Sequence, residues 1–339
     1  MKVVLRVPEF APVPEVVKFV QRAEDAGFDG VGLIDSQMIT RDVIVTMAAA
    51  AVATKRIRLV PAVTNPISRH ISIWASAAQS LDELAPDRIE IWMGRGFSAL
   101  NLAGLPFATP RQLRQSIVDM KRLMAGEWDV FPGVHTHIQN ASKQIPIRVA
   151  ASGPMALKIA GAVGDSVLIS AGIDIDAINA ARELVYEGAR SVGRDPATLD
   201  ISYNIMTSIR ENREDAYRWA SPVCARNLGN AEWLKARGID GRGLQAPPEL
   251  NNLYPDFFHA EDWNYAMEKA AFVPDDLLAE MAPHLGFVGS PEDVVEKMEM
   301  LSRNGVKEVF FQNLVNQQFP EDELKAFERV IGPAAHALP

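Results

Sequence analysis

The sequence has a single cysteine, Cys224, among its 339 residues. An internal disulfide is therefore excluded, and a lone thiol fits a reducing compartment, so a cytoplasmic setting is expected. Long apolar runs are missing too. The most nearly unbroken one, residues 43–53, is about half of what a bilayer crossing needs, and no membrane partner is expected. Residues 1–10 alternate like a strand and lack an apolar stretch followed by a small-residue cleavage site. They are read as part of the fold rather than as a signal peptide. Positive charge is scarce: 34 Lys and Arg stand against 43 Asp and Glu, a net charge of −9. Without a basic stripe, nucleic acid is not an expected partner. Neither a GxSxG elbow nor a P-loop occurs, and His135 and His137, two apart, do not have metal-site spacing, so no metal is expected.

What is present is a core-forming composition, 48% hydrophobic, and a repeating order of short apolar runs and amphipathic stretches. Strands are expected at 2–7, 31–34, 57–62, 88–92, 145–150, 166–169, 199–209 and 306–311, with helical spacing between most of them. Glycine at a helix end directly before an apolar run recurs, at Gly27 and at Gly305. Eight strands alternating with helices, none resembling an edge strand, predict the α/β class and a (β/α)8 TIM barrel. No low-complexity linker divides the chain, so residues 1–339 read as a single domain. It carries two insertions: 129–142, read as a small hairpin around Pro132-Gly133, and 227–285, the largest, before the eighth strand. The second holds Trp233, Tyr254, Phe257, Phe258, Trp263 and Tyr265, which suggests a packed lid with helical pieces near 231–237 and 274–281.

In a barrel, ligands meet the loops after the strands, all on one face. Thr64-Asn65-Pro66 and Gly94-Arg95-Gly96 follow successive strands of a strand-helix-strand unit and are expected to open into one crevice. Ala150-Ala151-Ser152-Gly153-Pro154 follows the fifth strand and opens a helix; it is either a phosphate-holding turn or a plain βα turn. Gly94 and Gly96 either let a flat ligand approach the backbone or make an ordinary tight turn. Asp35, after the second strand, either accepts a hydrogen bond from a ring N–H or caps the next helix. Arg95 brings a charge to the mouth, and His70 either polarises a ligand or packs at a helix start.

Four stretches together, AVTNPISRH, MGRGFSAL, AASGPMALKIAGAVGDSVLIS and FVGSPEDVVEKMEMLSRNGVKEVFFQ, resemble the bacterial luciferase-like superfamily. The similarity is greatest to its branch of methylenetetrahydromethanopterin reductases, which use coenzyme F420, and it covers nearly all of the chain outside the two insertions. The resemblance implies a TIM barrel with a tricyclic ring across its mouth and a non-prolyl cis peptide at the end of the third strand, here between Ala62 and Val63. It implies that Ala62, Val63, Thr64, Asn65 and Gly94 to Gly96 flank the ring, that Ala150 to Pro154 hold the cofactor phosphate, and that Asp35 lies near the ring's polar edge. Asp35, Asn65 and Arg95 are the groups expected to serve catalysis. Sugar-phosphate dehydrogenases of the superfamily carry a histidine after the aspartate and a glutamate after the GxG, where this chain has Ser36 and Phe97. Hydride transfer that needs no strong acid or base is therefore expected. The resemblance leaves two alternatives open: an FMN-dependent luciferase-like monooxygenase and a non-catalytic flavin-binding protein. It also implies a homodimer and a small-molecule substrate.

Overall fold

Strands covered by helices on one side and by other strands' side chains on the other lose their alternation and read as short apolar runs. In the computed structural model, which describes residues 1–315 and 317–339, such runs become nine parallel strands among the described residues. These are β1 (Lys2–Val7), β2 (Gly30–Leu33), β3 (Arg58–Pro61), β4 (Ile91–Met93), β5 (Ile147–Ala151), β6 (Ser166–Ile169), β7 (Asp200–Ile209), β8 (Phe287–Gly289) and β9 (Glu308–Asn313). The chain divides into two compact units, one of Val4–Ala171 with Asp176–Tyr203, the other of Met1–Val3, Gly172–Ile175 and Asn204–Pro339.

In the first unit the strands pair in sequence order. Val4 lies opposite Gly30, Gly30 opposite Arg58, Ile91 opposite Ile147, Arg148 opposite Ser166, and Ser166 opposite Asp200 at the start of β7. Two bridges, Leu59 to Ile89 and Thr64 to Met93, join β3 to β4. The connecting helices follow local signals. Val16, Phe19, Val20 and Ala23 form the buried face of Val13–Asp25, and Gly27, at φ 95°, ends it in the left-handed conformation that glycine adopts at low cost. Asp42 caps Val43–Ala53 by accepting from the Ile44 and Val45 N–H groups. Thr109 and Gln112 form a capping box at the start of Pro110–Met124. The hairpin expected at 129–142 is instead an irregular loop with no strand. Asp129 and Gly133 both have positive φ, 58° and 75°, which turns the backbone out of a ladder, and the Asp129 N–H to Thr136 C=O bond (3.0 Å) crosses the loop.

In the second unit the later part of β7 carries β8, with Thr207 opposite Phe287, and has β9 as its other neighbour. The Lys2 N–H donates to the Lys307 C=O (2.8 Å), just before β9. The expected eighth strand is thus present as β9, and β8 is an additional strand, too short at three residues to show a periodicity. The 227–285 segment contains Ala231–Lys235 and Asp275–Met281, close to the expected pieces, and a further helix, Trp263–Ala270. It shares a core with residues 216–225 and Val288, around buried Leu250, Trp263, Leu277 and Met281. There the Trp263 Nε1–H reaches the Trp219 C=O (3.0 Å) and Arg226 lies 4.1 Å from the Phe257 ring centroid. Cys224 is buried and unpaired, and among the described residues no helix is long and apolar enough to cross a membrane.

Candidate active site

Three of the segments singled out in the sequence meet in the first unit, at the ends of β3, β4 and β5. Gly94 is the point of contact: a Cβ placed there would lie 3.4 Å from Val63 Cγ2 and 3.5 Å from the Ala150 carbonyl oxygen. A side chain at this position would therefore fill the space that the three segments share. The Ala62–Val63 peptide is cis. Directly after it Thr64 is clasped to β4, its N–H donating to the Trp92 C=O and its own C=O accepting from Gly94 N–H, both at 2.9 Å. Gly96 has φ 83°, and a Cβ there would come within 2.5 Å of Leu100 and 3.1 Å of Asn65, so only glycine lets this turn close against the segment after β3.

Asp35 is 3% exposed. Thr64 Oγ1–H donates to its Oδ2 at 2.6 Å and Arg69 Nε–H to its Oδ1 at 3.2 Å. Arg69 also reaches Asp42 at 2.8 Å, so it is anchored by two carboxylates. Burial raises the Asp35 pKa above the ordinary aspartate value, and the Thr64 and Arg69 contacts only partly oppose this. Asp35 does not cap the following helix, since Asp42 does. Beside it the Ser36 hydroxyl is buried without a hydrogen-bond partner.

Asn65, fully buried, is committed to its own turn. Its Oδ1 accepts from the Ile67 and Ser68 N–H groups at 3.0 and 2.8 Å, and its Nδ2–H donates to Ser68 Oγ at 2.9 Å. Such saturation makes it a positioning residue for the backbone at 62–65. Arg95 is exposed and donates from Nε to the Ala108 C=O at 2.6 Å. His70 takes its plainer reading, as the residue capping Ile71–Leu84. His135 and His137 both lie against Trp128, with centroids at 4.7 and 3.9 Å. Among the described residues no group of three or more His, Cys, Asp or Glu could hold a metal ion.

Ala151, the last residue of β5, is buried, and Ser152 after it is exposed. Gly153 precedes the helix Pro154–Val163 with no side-chain cap, and a Cβ at Gly153 would meet nothing within 4 Å. This is an open cradle at a helix N-terminus, where uncapped N–H groups and the helix dipole favour an anionic group.

Sequence reasoning passed over Glu9. It follows β1, is fully buried, and accepts from the Ile34 N–H through Oε2 at 2.5 Å, while its Oε1 has no hydrogen-bond partner. Burial raises its pKa well above the glutamate range, and the nearby Asp35 charge adds to this although the Ile34 bond opposes it. Its place after a strand was the one available signal.

Parallel strands each followed by a helix, with the turns after β3, β4 and β5 brought together, define an α/β protein of the (β/α)8 barrel class. The fold is that of coenzyme F420 dependent tetrahydromethanopterin reductase from Methanopyrus kandleri, with a TM-score of 0.76 at 24% identity over 98% of each chain. A family model described as luciferase-like monooxygenase matches residues 5–308, and the chain belongs to that family. A 5,10-methylenetetrahydromethanopterin reductase from Methanolobus tindarius is 32% identical over 238 residues, 68% of this chain and 72% of the relative. An F420-dependent glucose-6-phosphate dehydrogenase from Beutenbergia cavernae is 31% identical over 273 residues, 72% and 76% of the two chains. The chain is an oxidoreductase of the luciferase-like family.

Proposed function

We propose that the protein transfers hydride between coenzyme F420 and a small organic substrate. The observation that carries this reading is the meeting of Val63, Gly94 and Ala150 beside the cis peptide, a backbone-lined surface with little side-chain bulk. Residues 62–65 and 94–96 would flank the ring, and Ala150 to Pro154 would hold the phosphate, through the open cradle at Gly153. Asp35 would accept a hydrogen bond from the ring's polar edge, and Arg95 would set the charge at the mouth. The bound deazaflavin supplies the carbon that gives or takes the hydride. The chain's own residues hold donor and acceptor in register, which is the larger part of such catalysis. Residues 1–339 acting as one domain, a cytoplasmic setting and a homodimer belong to the same proposal. The dimer is supported by Val45 and Val52 on one helix and Ile73 and Leu84 on the next, all 45% or more exposed.

A second reading, a monooxygenase using reduced FMN, is favoured by the description of the matching family. Titrating the protein separately with F420 and FMN and following cofactor fluorescence tests the choice. Saturable F420 binding is expected in the wild type, with Gly94→Ala and Gly153→Ala folded but weakened at least tenfold, about 1.4 kcal/mol. Tight binding of FMN alone, with oxygen consumption, would overturn the deazaflavin reading.

A further inference from the structure

Immediately after the ring-flanking turn the chain turns two aromatic side chains outward. Phe97 is 58% exposed and Phe107 42% exposed, their ring centroids 5.8 Å apart. The loop that bears them is fastened at its neck: Ala108 N–H donates to the Arg95 C=O at 3.1 Å, and Arg95 Nε–H donates back to the Ala108 C=O at 2.6 Å. Inside the neck, Leu100 and Ala108 are fully buried anchors, and the short helix Ser98–Asn101 fixes the backbone after Phe97. A further tie runs to the segment beyond Asp35, since Gln37 Nε2–H donates to the Ala99 C=O at 3.2 Å. A tethered loop with buried aliphatic anchors could have buried these rings as well. Leaving two adjacent phenyl groups in water costs hydrophobic free energy that an apolar ligand recovers.

The loop itself, residues 97–107, contains no charged residue. The guanidinium of Arg95 is tied through Nε to the loop neck, and Arg69 is held by Asp35 and Asp42. The exposed face between Gly96 and Ala108 is hydrocarbon at Phe97, Leu105 and Phe107. We infer that Phe97 and Phe107 form a specificity wall that takes the apolar ring of an uncharged, ring-bearing substrate beside the cofactor. This inference rests on the deazaflavin reading, because it is continuity with Gly94 to Gly96 that places the wall at the reacting face. It assigns Phe97 to substrate selection and gives it no part in proton transfer.

The test uses the full-length protein with F420 bound and two probes, 3-phenylcyclohex-2-enone and its para-carboxylate analogue. Ligand binding is followed by saturation-transfer NMR and cofactor binding by fluorescence. The wild type is expected to prefer the neutral probe. Phe97→Ala is expected to weaken that probe about tenfold, and Phe97→Leu by less, in keeping with the size of an aromatic contact. F420 affinity and the elution volume on size exclusion are expected to be unchanged in both variants. Equal binding of the two probes, no binding of the neutral one, or an unaltered affinity in Phe97→Ala overturns the wall while F420 still binds. A shift of the variants to a smaller species on size exclusion assigns the rings to a subunit contact and also overturns it. Failure of F420 to bind the wild type defeats the deazaflavin reading itself, a result separable from the others.

Discussion

Asp35 and Glu90 are both buried carboxylates of the same unit, 3% and 6% exposed, yet they occupy opposite ends of the strands and are shifted in opposite directions. Asp35 follows β2 and has one hydroxyl and one guanidinium for partners. Glu90 precedes β4. Its Oε1 accepts from Arg148 Nε at 3.0 Å and Ser166 Oγ at 2.5 Å, its Oε2 accepts from Trp92 Nε1 at 2.8 Å, and Arg58 lies 3.4 Å away. Arg148 goes on to Ser202 at 2.7 Å and Asp200 at 2.8 Å. Burial raises both carboxyl groups, but at Glu90 the Arg148 and Arg58 charges and the two hydrogen bonds reverse the sign and hold it below the ordinary range. At Asp35 burial wins. Burial alone therefore does not set the state of a carboxylate; the number and charge of its donors does. The first residues of the strands are knit into a network that keeps Glu90 ionised. The last residues leave polar atoms of Glu9 and Ser36 unpartnered and Asp35 able to take up a proton. One end ties the sheet together, and the other is where the proposed cofactor site lies.

If that division holds, the largest effect on stability comes from the knitted end. Arg148→Met removes the guanidinium that serves Glu90, Ser202 and Asp200 together and leaves a buried carboxylate short of its main partner. A loss of about 3 to 5 kcal/mol is expected, read as a lower midpoint in urea unfolding. Cofactor affinity of the fraction still folded should match wild type, because the hydrogen-bond partners of the guanidinium, Glu90, Ser202 and Asp200, lie at the other end of the strands. A loss under 1 kcal/mol would show that the network is not what holds this end.

At the other end the balance should invert. Asp35→Asn keeps an acceptor for the Thr64 hydroxyl and leaves Arg69 its second anchor at Asp42, so little stability should be lost. On the proposed reading, the charge that Asp35 would offer to the ring is gone. Deazaflavin affinity is expected to fall by about 10- to 100-fold, the equivalent of one hydrogen bond to a charged group. Unchanged affinity with a collapsed melting temperature would make Asp35 a structural residue like Glu90.

The same contrast explains what could be read from the sequence. The strands of the first unit were legible because each is a short apolar run with a turn signal behind it, and Gly94, Gly96 and Gly153 mark turns by their composition. That Val63 and Ala150 both lie beside Gly94 follows once consecutive parallel strands are inferred. The cis peptide came only through family resemblance, since nothing in Ala-Val by itself signals it. Glu9 was not legible: an acid after a strand looks like a surface residue until the fold buries it. The Glu90 network was equally hidden, because its members are distant in sequence and each sits singly among apolar neighbours. In the second unit, β8 is too short to carry a period. The 227–285 segment mixes Gly, Pro and Asn with aromatics, so the helix Trp263–Ala270 depends on tertiary packing more than on local pattern.

The smallest effect, and the sharpest test of how the Asp35 environment works, concerns Thr64. Its hydroxyl donates to the charged form of Asp35 and so lowers a pKa that burial has raised. A folded-state pKa above the unfolded value means that the native protein binds the proton more firmly. Stability is then fully present below the ordinary aspartate pKa and declines as pH rises through the raised one. Removing the hydroxyl with Thr64→Val pushes the folded-state pKa higher still, so the decline runs on to higher pH. The variant should differ least from wild type at the acid end of the range, where protonation of Asp35 is most advanced. The gap should widen as pH rises and level off at about 1 to 2 kcal/mol once Asp35 has ionised in both proteins. Urea unfolding at intervals between pH 4 and pH 8 measures this directly. A gap that is constant with pH would mean that the valine only disturbs packing. A gap that narrows as pH rises would mean that the hydroxyl serves the protonated carboxyl, which would reverse the role given to Thr64.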